Sequence, residues 1–327
     1  MKERLIWADN LKGILMILVV LGHAIQYSLV GGECESNRLW NYIYSFHMPA
    51  FMAVSGWLSY RVGGGKNRLS IIYRRFLQLL VPYFAWEIIY RMINGNLTGE
   101  SLFIILTHPY FWFLWVLFFI IVTFQFGDWL SEKIKVKQVF VMICLAFLYT
   151  IIMVVCEIRI LGFQFIAYYF LFYVVGYYIH KYPKLVVHNI GILTLLVFIW
   201  AFLAWFWNMH ELPPFMSILP LPGSMLQYAY RFLTGLVAVY VLLCIAPNIM
   251  NMACPKMLVE LGQISLGIYV VHLLIIPHIT KVLGNSIDNV DIVIVTSFII
   301  AFVLSWLIVK LIQKWELTSR FLLGKVA

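Results

Sequence analysis

Four polar residues near the start of the chain have the types and spacing that acid–base chemistry requires. Asp9, Lys12 and His23 stand in the apolar stretch ADNLKGILMILVVLGHA, and His47 follows in SFHMPAFMAVSGW. A neutral imidazole is well suited to accepting a proton near pH 7. Titratable groups inside apolar segments are costly and usually face a protein interior or a wet cavity, which makes these four residues candidates for a catalytic site.

Helical periodicity places three of these residues on one face of a helix. The step from Lys12 to His23 turns an α-helix by about 1100°, within about 20° of three full turns. Asp9 and Lys12 are three residues apart and can form an ion pair. His23 then lies alone, about 16 Å further along the helix at 1.5 Å per residue.

His47 is predicted to lie at nearly the same depth as His23, on the next helix, which runs back from about Trp40. Both imidazoles fall roughly 10–12 Å from the external helix ends. Antiparallel helices joined by a short loop normally pack side by side, so we predict that the two rings approach one another, with His23 as the general base and His47 as its orienting partner. The alternative for each is a purely interhelical hydrogen-bonding role. Neither has a carboxylate close in sequence, so no metal site is expected.

These residues must be positioned by membrane helices. The chain is 63% hydrophobic and 11% charged, with a mean hydropathy of +0.93, which is more apolar than a soluble domain of 327 residues needs to be. Because little length remains outside the apolar stretches, we expect an all-α, polytopic bundle of about ten transmembrane helices that forms one integral-membrane domain over residues 1–327. Stretches near the ~20 residues that cross a bilayer are 14–30, 40–60, 76–93, 112–126, 139–156, 163–179, 190–207, 225–246, 261–279 and 292–312.

The basic residues orient this bundle. With ten spans, eighteen of the 23 Lys and Arg residues fall on the side of the N-terminus and five on the other. The positive-inside rule then predicts that both termini are cytoplasmic, in a multi-pass protein of a bacterial inner membrane. The formal charge of +9 is scattered between apolar segments rather than gathered on one soluble face, so membrane lipid is an expected partner and nucleic acid is not.

Further charged residues surround the third predicted span. Five basic residues lie between Arg61 and Gln78, Arg74 and Arg75 among them. They serve either as a topology signal or as ligands for the phosphates of an anionic donor such as a coenzyme A ester. Glu87 and Arg91 are four residues apart and either neutralise each other or bind an acceptor on the external side.

The sequence resembles membrane acyltransferase family three, and within it the fucose 4-O-acetylase-like branch of cell-surface polysaccharide O-acetyltransferases. The stretch from Asp9 to His23 and the motif FHMPAFMAVSGW carry the resemblance most specifically. Weaker matches follow along nearly the whole chain: Arg74-Arg75 leading to Pro82-Tyr83, Trp112-Phe113-Leu114, and LGQISLGIYVVH ending at His272.

The resemblance implies a ten-helix enzyme that takes an acyl group from cytoplasmic acyl-CoA and delivers it to a glycan hydroxyl. It places the catalytic histidine at His23 and its partnered basic residue at Lys12, where many relatives have Arg. Arg74 and Arg75 take a donor-side role, and Trp112 joins the acceptor-side candidates. Gln78 stands where some relatives have another basic residue.

The expected reaction is therefore O-acylation of a surface polysaccharide or lipid-linked sugar. Acyl-CoA serves as a co-substrate rather than a bound cofactor, with acetyl-CoA expected first and succinyl-CoA next. A glycan exporter and a proton-coupled transporter are the non-enzymatic alternatives, and the transporter is disfavoured because the two halves show no repeat symmetry. The sequence leaves open the acceptor sugar and whether the chain forms a homo-oligomer.

Overall fold

A computed structural model describes residues 5–60, 67–95, 101–155, 160–250 and 256–325. Within these ranges every regular element is helical, which confirms the all-α class. The α-helices are α1 (Ile6–Ser28), α2 (Arg38–Ser59), α3 (Arg68–Arg75), α4 (Val81–Ile93), α5 (Ser101–Thr107), α6 (Trp112–Ile134), α7 (Gln138–Val155), α8 (Phe163–Lys181), α9 (Ile190–Trp205), α10 (Gly223–Ile249), α11 (Lys256–Gln263), α12 (Ser265–Gly284), α13 (Val290–Ile312) and α14 (Glu316–Leu323).

Each of the ten predicted spans overlaps one of these helices, and the chain is a multi-pass membrane protein. Among the described residues, seven helical segments are long and apolar enough to cross a membrane: Ile6–Ser28, Arg68–Ile93, Trp112–Ile134, Ile160–Lys181, Gly223–Ile249, Ser265–Gly284 and Val290–Ile312. Two further predicted spans coincide with the shorter apolar helices Gln138–Met153 and Ile190–Trp205. The span 40–60 lies on α2, so the count of ten and the side on which the termini lie stay predictions.

The helices extend past the predicted spans where polar side chains find partners. Helix α6 continues beyond Phe126, the predicted end of its span, to Ile134. Asp128 lies in this extension and accepts hydrogen bonds from Arg68 at 3.0 Å and from Gln138 at 2.6 Å. Because charged residues that are paired can remain helical beyond the apolar segment, hydropathy alone placed this helix end too early.

The first compact unit comprises the described residues of 1–55 and 178–309, with α1 in contact with α10, α11 and α12. Close backbone contact joins α1 to α11. A Cβ on Gly262 would lie 1.8 Å from the carbonyl oxygen of Asp9, and a Cβ on Gly13 would lie 2.5 Å from that of Leu258. Only glycine permits this approach, which fixes the first turns of α1.

The second compact unit comprises the described residues of 56–177 and 310–327. Its helices α3 and α4 are joined by a π-helical turn, Phe76–Leu80, a rare widening that is often found at functional sites. Helix α14 packs against α4, where the Trp86 indole N–H donates to the carbonyl oxygen of Leu322 at 2.8 Å. Gly324 follows with a φ of +63° and lies against the backbone of Gln78 in the π turn.

Candidate active site

Three histidines of the first unit form a cluster, two of them in contact with Tyr44 and the third in contact with His23. The ring centroids of His23, on α1, and His272, on α12, are 5.3 Å apart. The Tyr44 ring lies 6.4 Å from that of His23 and 4.8 Å from that of His47, both on a centroid basis. His47 and His272 are buried, with 3% and 0% of their surfaces exposed. Contacts through Tyr44 and His23 thus join three imidazoles into one cluster.

Hydrogen bonds to the backbone fix the tautomer of two of these rings. The Nδ1 atom of His47 lies 2.7 Å from the carbonyl oxygen of Ile43, and the Nδ1 atom of His272 lies 2.8 Å from that of Ile268. A carbonyl oxygen can only accept, so Nδ1 must carry the proton in both rings. In the neutral imidazole Nε2 is then left with a free lone pair, able to accept a proton or a hydrogen bond.

Two ring nitrogens of this cluster are buried without a hydrogen-bond partner. They are Nδ1 of His23 and Nε2 of His272. The Gln26 side chain lies near the His23 ring, and its Oε1 atom accepts from the Tyr44 hydroxyl at 2.6 Å. Buried polar atoms are normally paired, and a catalytic role is one explanation for an exception. The His23 and His272 rings are therefore the centre of the candidate site.

The structure brings a histidine beside His23 that was not among the predicted site residues, and the role of His47 as its orienting partner stays a prediction. Tyr44 contacts the rings of both His23 and His47, while His272 is the imidazole in ring contact with His23. Sequence reasoning named His272 only as the end of a weak motif. The available signal was a histidine inside an apolar segment, the same signal that selected His23 and His47.

The ion pair predicted between Asp9 and Lys12 is present in the first turns of α1. The Lys12 Nζ atom lies 2.8 Å from an Asp9 carboxylate oxygen, with the Asp9 side chain 6% exposed. The neighbouring Asn10 side chain donates to the carbonyl oxygen of Met250 at 2.8 Å, which ties α1 to the end of α10. The positive charge of Lys12 balances the negative charge of the buried Asp9 carboxylate, so this end of α1 carries two charged groups with no net charge.

The predicted donor-side arginines lie in the second unit, next to the π turn. Arg74 is exposed and Arg75 is half-buried. The Arg75 guanidinium donates to the Gln78 side chain at 3.0 Å and interacts electrostatically with the hydroxyl of Tyr173. Residues 61–66 of the same basic segment lie outside the described residues. Arg75 is thus held by polar neighbours while Arg74 is available to a ligand.

Glu87 and Arg91 form a buried ion pair in which the carboxylate is used by the chain itself. Arg91 Nη2 lies 3.3 Å from Oε2 of Glu87. The backbone N–H groups of Tyr110 and Phe111 donate to Oε1 at 2.6 and 3.1 Å. Glu87 therefore fixes the turn from which Trp112 begins α6, and this supports a structural role for the pair.

Trp112 itself belongs to an aromatic stack. Its ring centroid is 4.5 Å from that of Phe165 and 5.4 Å from that of Tyr169, and both pairs are nearly parallel. These contacts do not show that Trp112 binds an acceptor, so its acceptor-side role stays a prediction. Within the described residues, no three His, Cys, Asp or Glu side chains lie together as metal ligands would.

A family model matches the chain over most of its length, and two relatives match a shorter part of it. The model of a family described as an acyltransferase domain matches residues 5–310. The nodulation protein NolL of Mesorhizobium japonicum is 34% identical over 126 residues, covering 34% of this chain and 32% of that protein. NolL of Sinorhizobium fredii is 39% identical over 83 residues, covering 24% of this chain and 22% of that protein. The matches thus span a third or less of these relatives. No solved structure matches the chain.

Proposed function

The chain belongs to the acyltransferase family whose domain matches residues 5–310, and we propose that it is a membrane O-acyltransferase that moves an acyl group from acyl-CoA to a glycan hydroxyl. The observation that carries the proposal is the pair of adjacent imidazoles, His23 and His272, with unpartnered ring nitrogens inside a bundle of apolar helices. A sugar hydroxyl has a pKa far above 7, so its attack on a thioester needs a base of this kind.

The proposed reaction uses His23 as the general base. The acceptor oxygen forms a bond to the carbonyl carbon of the thioester while His23 takes the hydroxyl proton. The carbon–sulfur bond then breaks, and the proton passes to the departing CoA thiolate. Nε2 of His272 is an acceptor by its tautomer, so it can receive a hydrogen bond from the protonated His23 ring and stabilise its charge. A second chemically allowed route is acylation of His23 followed by transfer of the acyl group to the acceptor hydroxyl.

The donor's phosphates are proposed to bind Arg74 and Arg75. Guanidinium groups form strong, often bidentate hydrogen bonds with phosphate oxygens. The exposure of Arg74 and the hydrogen bond that orients Arg75 toward Gln78 support this role. The proposed donors are acetyl-CoA first and succinyl-CoA next.

The proposed orientation puts both termini in the cytoplasm, in the inner membrane of a bacterium. Its support is the excess of Lys and Arg on the side of the N-terminus, which includes Lys12, Arg74 and Arg75. The acyl donor then arrives from the cytoplasm and the glycan from the opposite side, as a surface polysaccharide or a lipid-linked sugar.

Reconstitution into proteoliposomes tests the function directly. Radiolabelled acetyl-CoA or succinyl-CoA is supplied with glycan acceptors, and mass spectrometry follows the gain of one acyl group. We expect acylated glycan with the parent protein and a loss of about 10²–10⁴-fold with His23→Ala. Full transfer by His23→Ala would refute the assigned base, and movement of glycan across the membrane without a change in mass would make the protein an exporter. Labelled protein trapped before acceptor is added would identify the acyl-histidine route.

A further inference from the structure

A cluster of aromatic side chains extends from the imidazoles toward one end of the first unit. Tyr44, which contacts both His23 and His47, stacks on Trp40 with ring centroids 3.9 Å apart. The Trp40 ring lies 6.1 Å from that of Trp207. The Arg231 guanidinium lies over the Trp207 ring, 5.4 Å from its centroid. We call Trp40, Trp207, Tyr44 and Arg231 the tryptophan cluster.

This cluster lies at the end of the unit opposite to the Asp9–Lys12 ion pair. Trp40 is in the first turn of α2, and Trp207 follows the end of α9. Both pack with Ile25, in the last turn of α1, whereas Asp9 is in the first turn. In the proposed topology this is the side from which the glycan arrives.

The two tryptophans carry buried hydrogen-bond donors that the protein does not use. Each side chain is 2% exposed. The indole Nε1 atoms of Trp40 and Trp207 are both buried without a hydrogen-bond partner. An unmade hydrogen bond at a buried donor is unfavourable, and a buried indole N–H usually has an acceptor. Phenylalanine would pack a similar aromatic face without this cost, so two such donors in adjacent rings indicate that an acceptor comes from elsewhere.

We propose that the tryptophan cluster is a binding subsite for a pyranose ring of the acceptor glycan. The inference rests on the proposed acyl transfer, which requires a hydroxyl compound beside His23. A pyranose offers several oxygens that accept from indole and guanidinium N–H groups, and its C–H faces pack against aromatic rings. A lipid acyl chain offers no such acceptors. Tyr44 joins the subsite to His23, so a sugar held by Trp40 and Trp207 directs a hydroxyl toward the imidazoles.

Conservative substitutions test the subsite in the full chain. Trp40→Phe and Trp207→Phe each keep an aromatic ring and remove one N–H donor. Trp205→Phe is the matched control, because Trp205 is 49% exposed and packs under Arg38 outside the cluster. Isothermal titration in nanodiscs measures the binding of methyl glycosides of glucose, galactose, fucose and N-acetylglucosamine. We expect at least one glycoside to bind, and to bind roughly tenfold more weakly to each cluster variant, as expected for the loss of one buried hydrogen bond.

Acyl transfer by the same variants provides the second readout. The assay uses radiolabelled acetyl-CoA and the glycoside that binds. We expect KM for the glycoside to rise about tenfold, because each variant lacks one indole N–H group that contacts the sugar. KM for acetyl-CoA should stay unchanged, because these N–H groups contact only the sugar. Equal binding by parent and both cluster variants, an equal loss in Trp205→Phe, or no binding of any glycoside would each overturn the subsite. If the cluster variants lose sugar binding but the parent transfers no acetyl group, the subsite stands and the proposed reaction fails. If acetyl is transferred with an unchanged KM for the glycoside, the reaction stands and the subsite fails.

Discussion

Replacing His272 by leucine separates the two candidate partners of His23. His272 and His47 have matching local geometry, since each Nδ1 atom is bonded to the carbonyl oxygen four residues earlier. They differ in their neighbours, because the His272 ring is in contact with His23 whereas His47 contacts Tyr44. A ring nitrogen lies roughly 1 Å from its centroid, so a centroid distance of 5.3 Å lets two facing nitrogens approach to hydrogen-bonding range.

The size of the effect follows from the hydrogen bond that forms when His23 takes a proton. A hydrogen bond to a charged group contributes about 1.5–3 kcal/mol. Since each 1.36 kcal/mol is a factor of ten in rate, His272→Leu is expected to lower kcat about 10- to 150-fold. The fold should tolerate the change within about 1 kcal/mol, because leucine removes a buried nitrogen that has no partner.

The assay compares His272→Leu with His47→Leu in proteoliposomes, with kcat for acetyl transfer and thermal unfolding measured on the same preparations. We expect the smaller loss of kcat in His47→Leu and similar unfolding midpoints in both. A larger loss in His47→Leu, with the protein still folded, would refute the structural argument and restore the partner that the sequence suggested. A lower unfolding midpoint in His272→Leu that matches its loss of activity would reduce His272 to a packing role.

Three further predictions concern the packing of α1, the buried ion pair of α4 and the proposed donor arginine. Gly262→Ala should destabilise the protein by roughly 1–3 kcal/mol, because the added Cβ would meet the backbone of Asp9. Gly284→Ala is the control and should not destabilise the protein, because nothing lies within 4 Å of its added Cβ. Chemical denaturation of the two variants measures the difference. Glu87→Gln should cost about 3–5 kcal/mol by leaving the Arg91 charge buried alone, and adding Arg91→Met should recover much of the loss in the same measurement. Arg75→Ala should raise KM for acetyl-CoA about tenfold and leave KM for the glycan unchanged, since the arginine is proposed to contact only phosphate; an equal rise in both constants would contradict that assignment.

The part of the site that lies on one helix could be predicted from the sequence. Helical periodicity fixes how Asp9, Lys12 and His23 are arranged, and the ion pair is found as expected. The contact of His23 with His272 joins positions far apart in the chain. It depends on how α12 packs against α1, through close approaches such as that of Gly262 to Asp9. Periodicity carries no information on such packing, so the sequence favoured the histidine on the neighbouring helix.

The first unit also bears on the number of spans, through the directions of its helices. Helix α10 begins near the tryptophan cluster, where Arg231 lies over Trp207, and ends beside Asn10 at the start of α1. It therefore runs antiparallel to α1. Helix α9 runs alongside α2 in the opposite sense, since Arg38 donates to the carbonyl of Trp205 and Ser45 accepts from Trp200. Because α2 returns antiparallel to α1 after a short connection, α9 runs in the same direction as α1.

These directions support ten spans by parity. Helix α2 runs toward, and α9 runs away from, the side where α1 starts, so we expect the chain between them to cross the bilayer an even number of times. Among the described residues of that interval, three segments are long and apolar enough to span, namely Arg68–Ile93, Trp112–Ile134 and Ile160–Lys181. Three is odd, so we expect the shorter helix α7 to be the fourth crossing. Counting α2, α7 and α9 with the seven long segments gives the ten spans that the sequence predicts, and an even number puts both termini on one side.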